Sequence, residues 1–555
     1  MSAQDRVAEL LGTFAAPGAN AAELLCDRHP ADDVALTVIA DTLDFVDVTY
    51  GELHEKSVRF AAALRTMGVR RGDHVATLMG KSAELVVALL GIWRLGAVDV
   101  PLFTAFGHDA IAFRMQAGGA RLVVCDAAQR PKLVPPGGVP NDASPLVVVA
   151  RGEAFGFDAS FAEMVAGTGA FATTPQDVPA ESDAGPVAVG GDGEIVRLFT
   201  SGTTGSPKGV PVPLRSVASF VGYQEFGLDV RAGDVLWNAA DPGWAYGLYF
   251  ALLAPLATGT RTLLLSAGFS PELSWAVLQK FAVTNFAAAP TVYRALRAGS
   301  ATGSGHALRR ASSAGEPLTP DVIAWSRDAL AQTVREHYGQ TELGMVAGNA
   351  WHDELLAPLR PGSMGTSLPG WRVDVLSNDA DVPAADDEPG RIAVDVANSP
   401  FFWFTGYADA PEKTAGRFAG DGAWYLTGDA GRRDADGFLY FSSRDDDVII
   451  MAGYRIGPFD VESVLAAHPA VAETAVIGTP DELRGEVLEA FVVLNESVEP
   501  GAELVAELQQ LVKTKFAAHA YPRRVHFVAE LPKTPSGKVQ RYVLRRQRAA
   551  MTEND

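Results

Sequence analysis

Cysteine is nearly absent. Only Cys26 and Cys125 occur in 555 residues, and neither belongs to a Cys-x-x-Cys pair. That excludes a disulfide framework and a cysteine-based metal site, and makes a reducing cytoplasm the expected compartment. Basic residues are also in deficit: 46 Lys and Arg against 67 Asp and Glu leave a formal net charge of −21. No cationic surplus exists to neutralise a phosphate backbone, so nucleic acid is excluded as a bulk partner. The opening Met1-Ser-Ala-Gln-Asp-Arg6 is polar and carries no apolar run ahead of a cleavage site, so no secretory signal is expected. One long uncharged run does occur, the 19 residues between Asp241 and Arg261. Pro255 and glycines 243, 247 and 259 interrupt it, which argues against a membrane span. Hydrophobic content of 48% with 20% charged residues fits a soluble globular enzyme, and the length demands more than one core.

What the chain has in excess is a hydroxyl- and glycine-rich segment, Leu198-Phe-Thr-Ser-Gly-Thr-Thr-Gly-Ser-Pro-Lys-Gly209. The apolar run Ile195–Phe199 leads into it as a strand. Glycines let successive backbone N–H groups turn toward one point, and hydroxyls add donors, so such a segment can cradle phosphate. The same composition also makes an ordinary flexible turn. It is no Walker A loop, because Lys208 follows proline and precedes glycine.

Five further strings follow in order: Tyr338-Gly-Gln-Thr-Glu342, Tyr425-Leu-Thr-Gly-Asp429, Arg444-Asp-Asp-Asp447, Gly453-Tyr-Arg455 and Pro532-Lys-Thr-Pro-Ser-Gly-Lys538. With the hydroxyl-rich loop, this series resembles the adenylate-forming superfamily of acyl-CoA synthetases, peptide-synthetase adenylation domains and luciferases. The resemblance runs from about residue 45 to about residue 547. It implies ATP, Mg²⁺ and coenzyme A as reactants, with acyl-AMP as intermediate. On that resemblance Thr200, Ser201, Gly202, Thr203, Thr204, Gly205 and Lys208 wrap the β- and γ-phosphates. Thr341 meets the α-phosphate and Glu342 holds Mg²⁺. Gly315, Glu316, Pro317 and Tyr338 surround the adenine, with Tyr338 stacking on it, and Gln340 is a further cofactor-binding residue. Asp429 accepts the ribose hydroxyls, Arg444 adds a second ribose contact, and Arg455 reaches phosphate. Lys538 is the catalytic lysine of the first step, with Lys533 and Lys208 as weaker candidates. Asp446 is the pivot about which a small domain swings to bring the Gly453 segment to the thiol tunnel. Asp460 stands where many relatives carry glutamate.

Alternating segments predict the fold class: α/β, with a large N-terminal domain of parallel-rich sheets layered with helices, and a small mobile α+β C-terminal domain. Helices are expected over 50–67 and 82–95, with Ser82 as a cap, and strands over 75–79 and 98–102. Residues 170–193 read as a loop and 378–389 as an acidic surface loop. Beyond Arg444 come expected strands at 448–451, 473–477, 488–494 and 524–528, and helices at 461–467 and 503–516. The charged run Arg444–Asp447 divides an AMP- and acyl-binding domain, residues 1–445, from a lid domain, residues 446–555.

The segment Ala240-Asp-Pro-Gly-Trp-Ala-Tyr-Gly247 resembles that of acetyl- and medium-chain acyl-CoA synthetases, where acetate-specific members close the pocket with a tryptophan just before Gln-Thr-Glu. Here that position is Gly339, and Trp244, Ala245, Tyr246 and Ala314 complete the implied acyl pocket. The expected substrate is a small-molecule carboxylic acid larger than acetate: short-to-medium, branched or aromatic. The alternatives are an acetyl- or propionyl-CoA synthetase, or a stand-alone adenylation enzyme loading an amino or aryl acid onto a carrier protein, with Asp241 pairing a substrate amine. A homodimer is the candidate assembly.

Overall fold

The structure is a computed structural model and describes residues 2–134, 146–168, 186–200, 207–299, 305–445, 447–451, 454–481, 484–496, 498–534 and 538–552. Ser201, Gly202, Thr203, Thr204, Gly205, Asp446 and Gly453 lie outside these, as do most of the expected 170–193 loop and the side chain of Arg455.

Three sheets organise the described residues. The first has seven strands, with His74–Leu78, Val98–Pro101 and Glu194–Thr200 adjacent and parallel at its centre. Helix Ala83–Arg94 packs on it and helix Tyr50–Thr66 packs on that helix, matching their apolar spacing. The first of these begins at Ala83 because the Ser82 hydroxyl accepts from the Leu85 N–H at 3.1 Å. The Glu194–Thr200 strand turns back antiparallel into Lys208–Pro213, pairing Thr200 with Lys208.

The second sheet carries a parallel run of Leu236–Asn238, Asn285–Ala288, Arg310–Ala314 and Arg335–Gln340. It then continues antiparallel through Gly344–Gly348, Ser363–Ser367, Leu439–Arg444 and Trp424–Arg433. This antiparallel extension is absent from the sequence expectation, which foresaw strand–helix alternation only. Ser363–Ser367 pairs with Leu439–Arg444 although a helix and other strands lie between them in the chain, so no local pattern marked the extension.

The uncharged run folds as buried helical segments, Ala245–Gly247, Leu248–Leu253 and Ala254–Thr258, ended by Gly259 at φ 75°. Among the described residues no helix is long and apolar enough to cross a membrane.

The third sheet, built from Ile449–Met451, Tyr454–Ile456, Val471–Asp481, Gly485–Leu494 and Arg524–Phe527, forms the small C-terminal domain. Helices Pro458–Ala466 and Ala502–Lys515 enclose a separate core that includes Val461, Leu465, Val476, Leu488, Leu508 and Val512. The strand at Tyr454 and a terminal helix, Arg541–Thr552, were not foreseen. The paired strands Val471–Asp481 and Gly485–Leu494 both run several residues longer than their apolar cores.

Candidate active site

Chains of parallel strands bind ligands outside their carboxyl ends, and the expected nucleotide residues lie there. Gly315, Glu316 and Pro317 follow the Arg310–Ala314 strand, while Tyr338 and Gln340 end the neighbouring strand. Gly315 has φ 98°, a conformation that only glycine adopts without strain. Glu316 accepts from Arg294 at 3.0 Å through one oxygen; the other is buried without a hydrogen-bond partner among the described residues.

Asp429 sits at the centre of this region, buried on the Trp424–Arg433 strand. One oxygen pairs with the Arg444 guanidinium at 2.9 Å. The other accepts from the Tyr338 hydroxyl at 2.5 Å and from Gln340 Nε2 at 2.8 Å. Arg444 faces Asp429 because the two are register partners on adjacent antiparallel strands. A carboxylate offers about four acceptor positions, and three donors already occupy it. One acceptor position is left open, so a ligand bringing two donors must displace Tyr338 or Gln340. Burial and the adjacent Asp429 keep that phenol protonated, its pKa far above the ordinary value.

A second constellation forms on the phosphate side. Glu342 is buried, and its Oε1 accepts from the Tyr407 hydroxyl at 2.7 Å. Arg417 Nε donates to the same hydroxyl oxygen at 3.1 Å, and Lys208 Nζ lies 4.4 Å from the Tyr407 ring centroid. The Ala408 N–H donates to Gly209 O at 2.8 Å, fastening this loop beside the Lys208 strand. Desolvation, with help from Arg417, lowers the Lys208 ammonium pKa. Sequence reading missed Tyr407 and Arg417; the only signal was their position between recognised motifs. Thr341 sits in the turn after the Tyr338 strand, its carbonyl accepting from Tyr249 at 3.0 Å. No cluster of three or more potential metal-ligating side chains exists among the described residues. A lone buried carboxylate fits Mg²⁺, which takes one or two carboxylates and completes its shell with phosphate oxygens and water.

The small domain delivers Lys538 to this cleft. Lys538 is exposed as a residue, while its ammonium is crowded by protein atoms and within electrostatic reach of Glu316, Arg444 and Asp429. Desolvation dominates and lowers its pKa; Arg444 adds to the lowering while Glu316 and Asp429 oppose it. Lys533 instead pairs with Glu473 at 2.7 Å within the small domain.

Aromatic side chains build the acyl-side wall. Trp244 packs on Phe103 and Phe106 with ring centroids 5.6 and 5.5 Å apart, and its indole N–H has no partner among the described residues. The Tyr246 hydroxyl lies 3.4 Å from that of Tyr223, which in turn lies 2.7 Å from His337 Nδ1. Burial pushes the His337 imidazole down to about 3, so it is neutral. Ala245 is half-buried and Ala314 buried. Asp241 accepts from the Gly243 N–H at 2.8 Å; burial raises its carboxyl pKa, which nearby Lys81 opposes.

Gly339 requires a correction. A Cβ there would fall 2.0 Å from Gly344 O and 2.7 Å from the Met345 Cα. The side-chain direction at 339 thus points into the partner strand, at the register shift between Tyr338 and Gly339. Glycine is required by this close backbone approach, so an indole cannot simply fill empty pocket as the sequence suggested.

Residues 23–407 match the family described as AMP-binding enzyme, and residues 460–538 match its C-terminal domain. The chain belongs to the AMP-binding enzyme family. It is 34% identical over 545 residues to an acetyl-coenzyme A synthetase of Bacillus subtilis, covering 95% of this chain and 90% of that protein. It is 34% identical over 510 residues to the mitochondrial acyl-coenzyme A synthetase ACSM3 of Rattus norvegicus, covering 90% of this chain and 84% of that one. Among solved structures, an acyl-CoA synthetase of Brucella canis is 41% identical with a TM-score of 0.74, covering 100% and 98% of the two chains. A benzoate CoA ligase from Burkholderia xenovorans is 27% identical with a TM-score of 0.80, covering 95% of this chain and 100% of that one.

The glycine correction is testable. Gly339→Ala should destabilise the large domain by about 1–3 kcal/mol, the usual cost of overpacking, read as a lower urea midpoint. It should slow acetate and larger acids by the same factor. A selective loss against the larger acid alone would return Gly339 to the pocket floor.

Proposed function

We propose that this chain is an ATP-dependent, AMP-forming acyl-CoA synthetase acting on a carboxylic acid larger than acetate, either aromatic, branched or medium-chain. The observation that carries the reading is the convergence of Tyr338, Asp429 and Arg444, the Glu342–Tyr407–Arg417–Lys208 group and Lys538 on one cleft from two domains. In the first step a carboxylate oxygen attacks the α-phosphorus of ATP and pyrophosphate leaves. In the second, the CoA thiol attacks the acyl carbonyl and AMP leaves.

The first step brings two anions together, so it needs preorganised positive charge where negative charge grows. Lys538 supplies it at the α-phosphate, and Lys208 and Arg417 flank the departing pyrophosphate. Mg²⁺ held by Glu342 would neutralise phosphate charge. Glu316, with its orphan acceptor oxygen, suits the exocyclic amine of adenine, and Asp429 with Arg444 suits the ribose. Thr200 and the 201–205 loop take the terminal phosphates, and Arg455 contacts phosphate. The domain boundary lies between residues 445 and 446, with Asp446 as pivot and the Gly453 segment lining the thiol path.

Substrate size rests on the small Ala245 and Ala314 beside the aromatic wall of Trp244 and Tyr246, since Gly339 no longer supports it. Asp241 already accepts from the Gly243 N–H, and burial disfavours its charged form, which favours CoA-linked activation of neutral-tailed acids over loading of amino acids. A cytoplasmic location fits two buried, unpaired cysteines.

CoA-dependent AMP release across a panel of acetate, isobutyrate, hexanoate, benzoate and β-alanine tests the reading. Isobutyrate, hexanoate or benzoate should exceed acetate in kcat/KM. AMP release independent of CoA, or strongest with β-alanine, would defeat it.

Lys538→Ala should slow acyl-AMP formation by about 10²–10³-fold, the usual cost of one preorganised donor. Thioester formation from supplied acyl-AMP should be largely spared. Equal losses in both half-reactions would remove Lys538 from the first step.

The same lysine sets an alkaline limit. Its ammonium form is the useful one, and its pKa is lowered, so adenylation should fall as pH rises at values below the ordinary lysine range. Lys538→Arg, which stays charged there, should flatten that limb at reduced rate. An unchanged limb would assign it to another group.

A further inference from the structure

Arg541 begins the terminal helix three positions beyond Lys538, and its guanidinium is fully engaged with carboxylates. Nη2 lies 2.7 Å from both oxygens of Glu462, Nε lies 3.3 Å from Oε1, and Nη1 lies 3.5 Å from Asp447. Asp447 also receives Arg545 at 2.5 Å. Glu462, on the Pro458–Ala466 helix, accepts in addition from the Val476 N–H at 2.7 Å, so the carboxylate that holds Arg541 is itself fixed to the central sheet. These groups are mostly buried: the side chains of Arg541, Asp447 and Glu462 are 21%, 10% and 11% exposed.

The chain between these groups and Lys538 has little slack. The Gln540 N–H donates to Pro532 O at 2.8 Å, Lys533 and Val539 form an antiparallel bridge, and the Thr534 N–H donates to Lys538 O at 2.7 Å. At the other end, the Asp447 N–H donates to Arg444 O at 3.0 Å, and Arg444 pairs with Asp429. A series of ion pairs and backbone hydrogen bonds therefore runs from Asp429, across the interdomain crossing, to the base of Lys538. Two of its joints are close, low-dielectric ion pairs, which are stiff because either partner left alone would be a buried charge.

We infer that Arg541 is a positioning residue for adenylation: by tying the Lys538 segment to Asp447 and Glu462, it fixes how far Lys538 reaches when the small domain packs on the nucleotide cleft. Its guanidinium is saturated by carboxylates, so it is not a phosphate or CoA ligand. It acts through Lys538. The inference rests on the reading of Lys538 as the adenylation lysine, and the controls separate the two.

The experiment is a double-mutant cycle on the full-length chain, with acid-dependent ATP–pyrophosphate exchange and thioester formation from supplied acyl-AMP measured side by side. Arg541→Ala should lower kcat for exchange by about 10–100-fold, with KM for ATP and acid changed less than about 3-fold, as expected when an interaction serves the transition state alone. Arg541→Lys should recover part of the loss. Thioester formation should stay within about 3-fold, which also reports a folded enzyme. Adding Lys538→Ala to Arg541→Ala should cost nothing further beyond Lys538→Ala alone, because residues acting through one another are non-additive. Multiplicative losses, or equal losses in both half-reactions, would overturn the inference. Should Arg541→Ala fail to fold, Arg541→Gln with Glu462→Gln removes both charges together, and the same criteria apply to it. If Lys538→Ala by itself leaves exchange intact, the fault lies with the reading of Lys538; if it abolishes exchange while Arg541→Ala does not, the fault lies with Arg541.

Discussion

One buried carboxylate holds the nucleotide side of this protein together. Asp429 joins the parallel half of the large second sheet, through Tyr338 and Gln340, to the antiparallel half, through Arg444. A buried carboxylate is tolerable only when its acceptor positions are filled, and here three donors from two other strands fill them. The same requirement makes the site responsive. A further donor can enter at the one acceptor position left open, and a second only by displacing Tyr338 or Gln340, so the carboxylate can exchange partners at little net change in hydrogen bonding.

The acidic surplus of the chain sharpens the electrostatic problem. With a net charge of −21, the protein as a whole repels ATP, CoA and carboxylates. Attraction must be local, and the cleft concentrates Lys208, Arg417, Arg444 and Lys538. Two of these cations, Lys208 and Lys538, carry lowered pKa values from desolvation. An ammonium poorly solvated before the substrate arrives gains more from an incoming phosphate than one that water already satisfies. Tyr407 contributes differently: its ring faces Lys208 while its hydroxyl links Glu342 with Arg417. One aromatic residue thereby spaces two cations and a carboxylate that would otherwise collapse into a closed ion pair.

Much of the fold was legible because local signals carried it. Apolar residues at helical spacing and the Ser82 cap gave the Tyr50–Thr66 and Ala83–Arg94 helices within one residue or so at each end. The ordered motifs led to residues that the fold gathers at one cleft, since each string is short and contiguous. Other features were long-range and left no pattern. Tyr407 and Arg417 matter through what they touch, and those partners lie 65 and 10 positions away from Tyr407. The antiparallel extension was hidden because hairpin strands with half-buried faces resemble irregular segments between motifs. Gly339 failed in an instructive way. A glycine beside a pocket motif was read as missing bulk, but its lack of Cβ answers a backbone oxygen 2.0 Å from where Cβ would stand.

The two-domain layout follows from the chemistry. Charge builds at the α-phosphate in the first step and at the acyl carbonyl in the second, and one rigid wall cannot serve both without blocking the thiol. On the proposed role of Lys538, its place on a separate core would let it be withdrawn as a unit. That design demands stiffness within the small domain and weakness between domains. The described contacts divide accordingly. Inside the small domain, Glu489 is fully buried and takes Arg524, His526 and Arg548 at 2.7–2.8 Å, which holds its carboxyl down at about 2. Arg541 with Glu462 and Asp447 forms a second such knot. Toward the large domain, Lys538 has electrostatic neighbours but no ion pair within 4 Å among the described residues, so it can leave without stranding a buried partner. A lysine locked into a salt bridge in the closed form would have to break it on every turnover; one held by desolvated proximity does not.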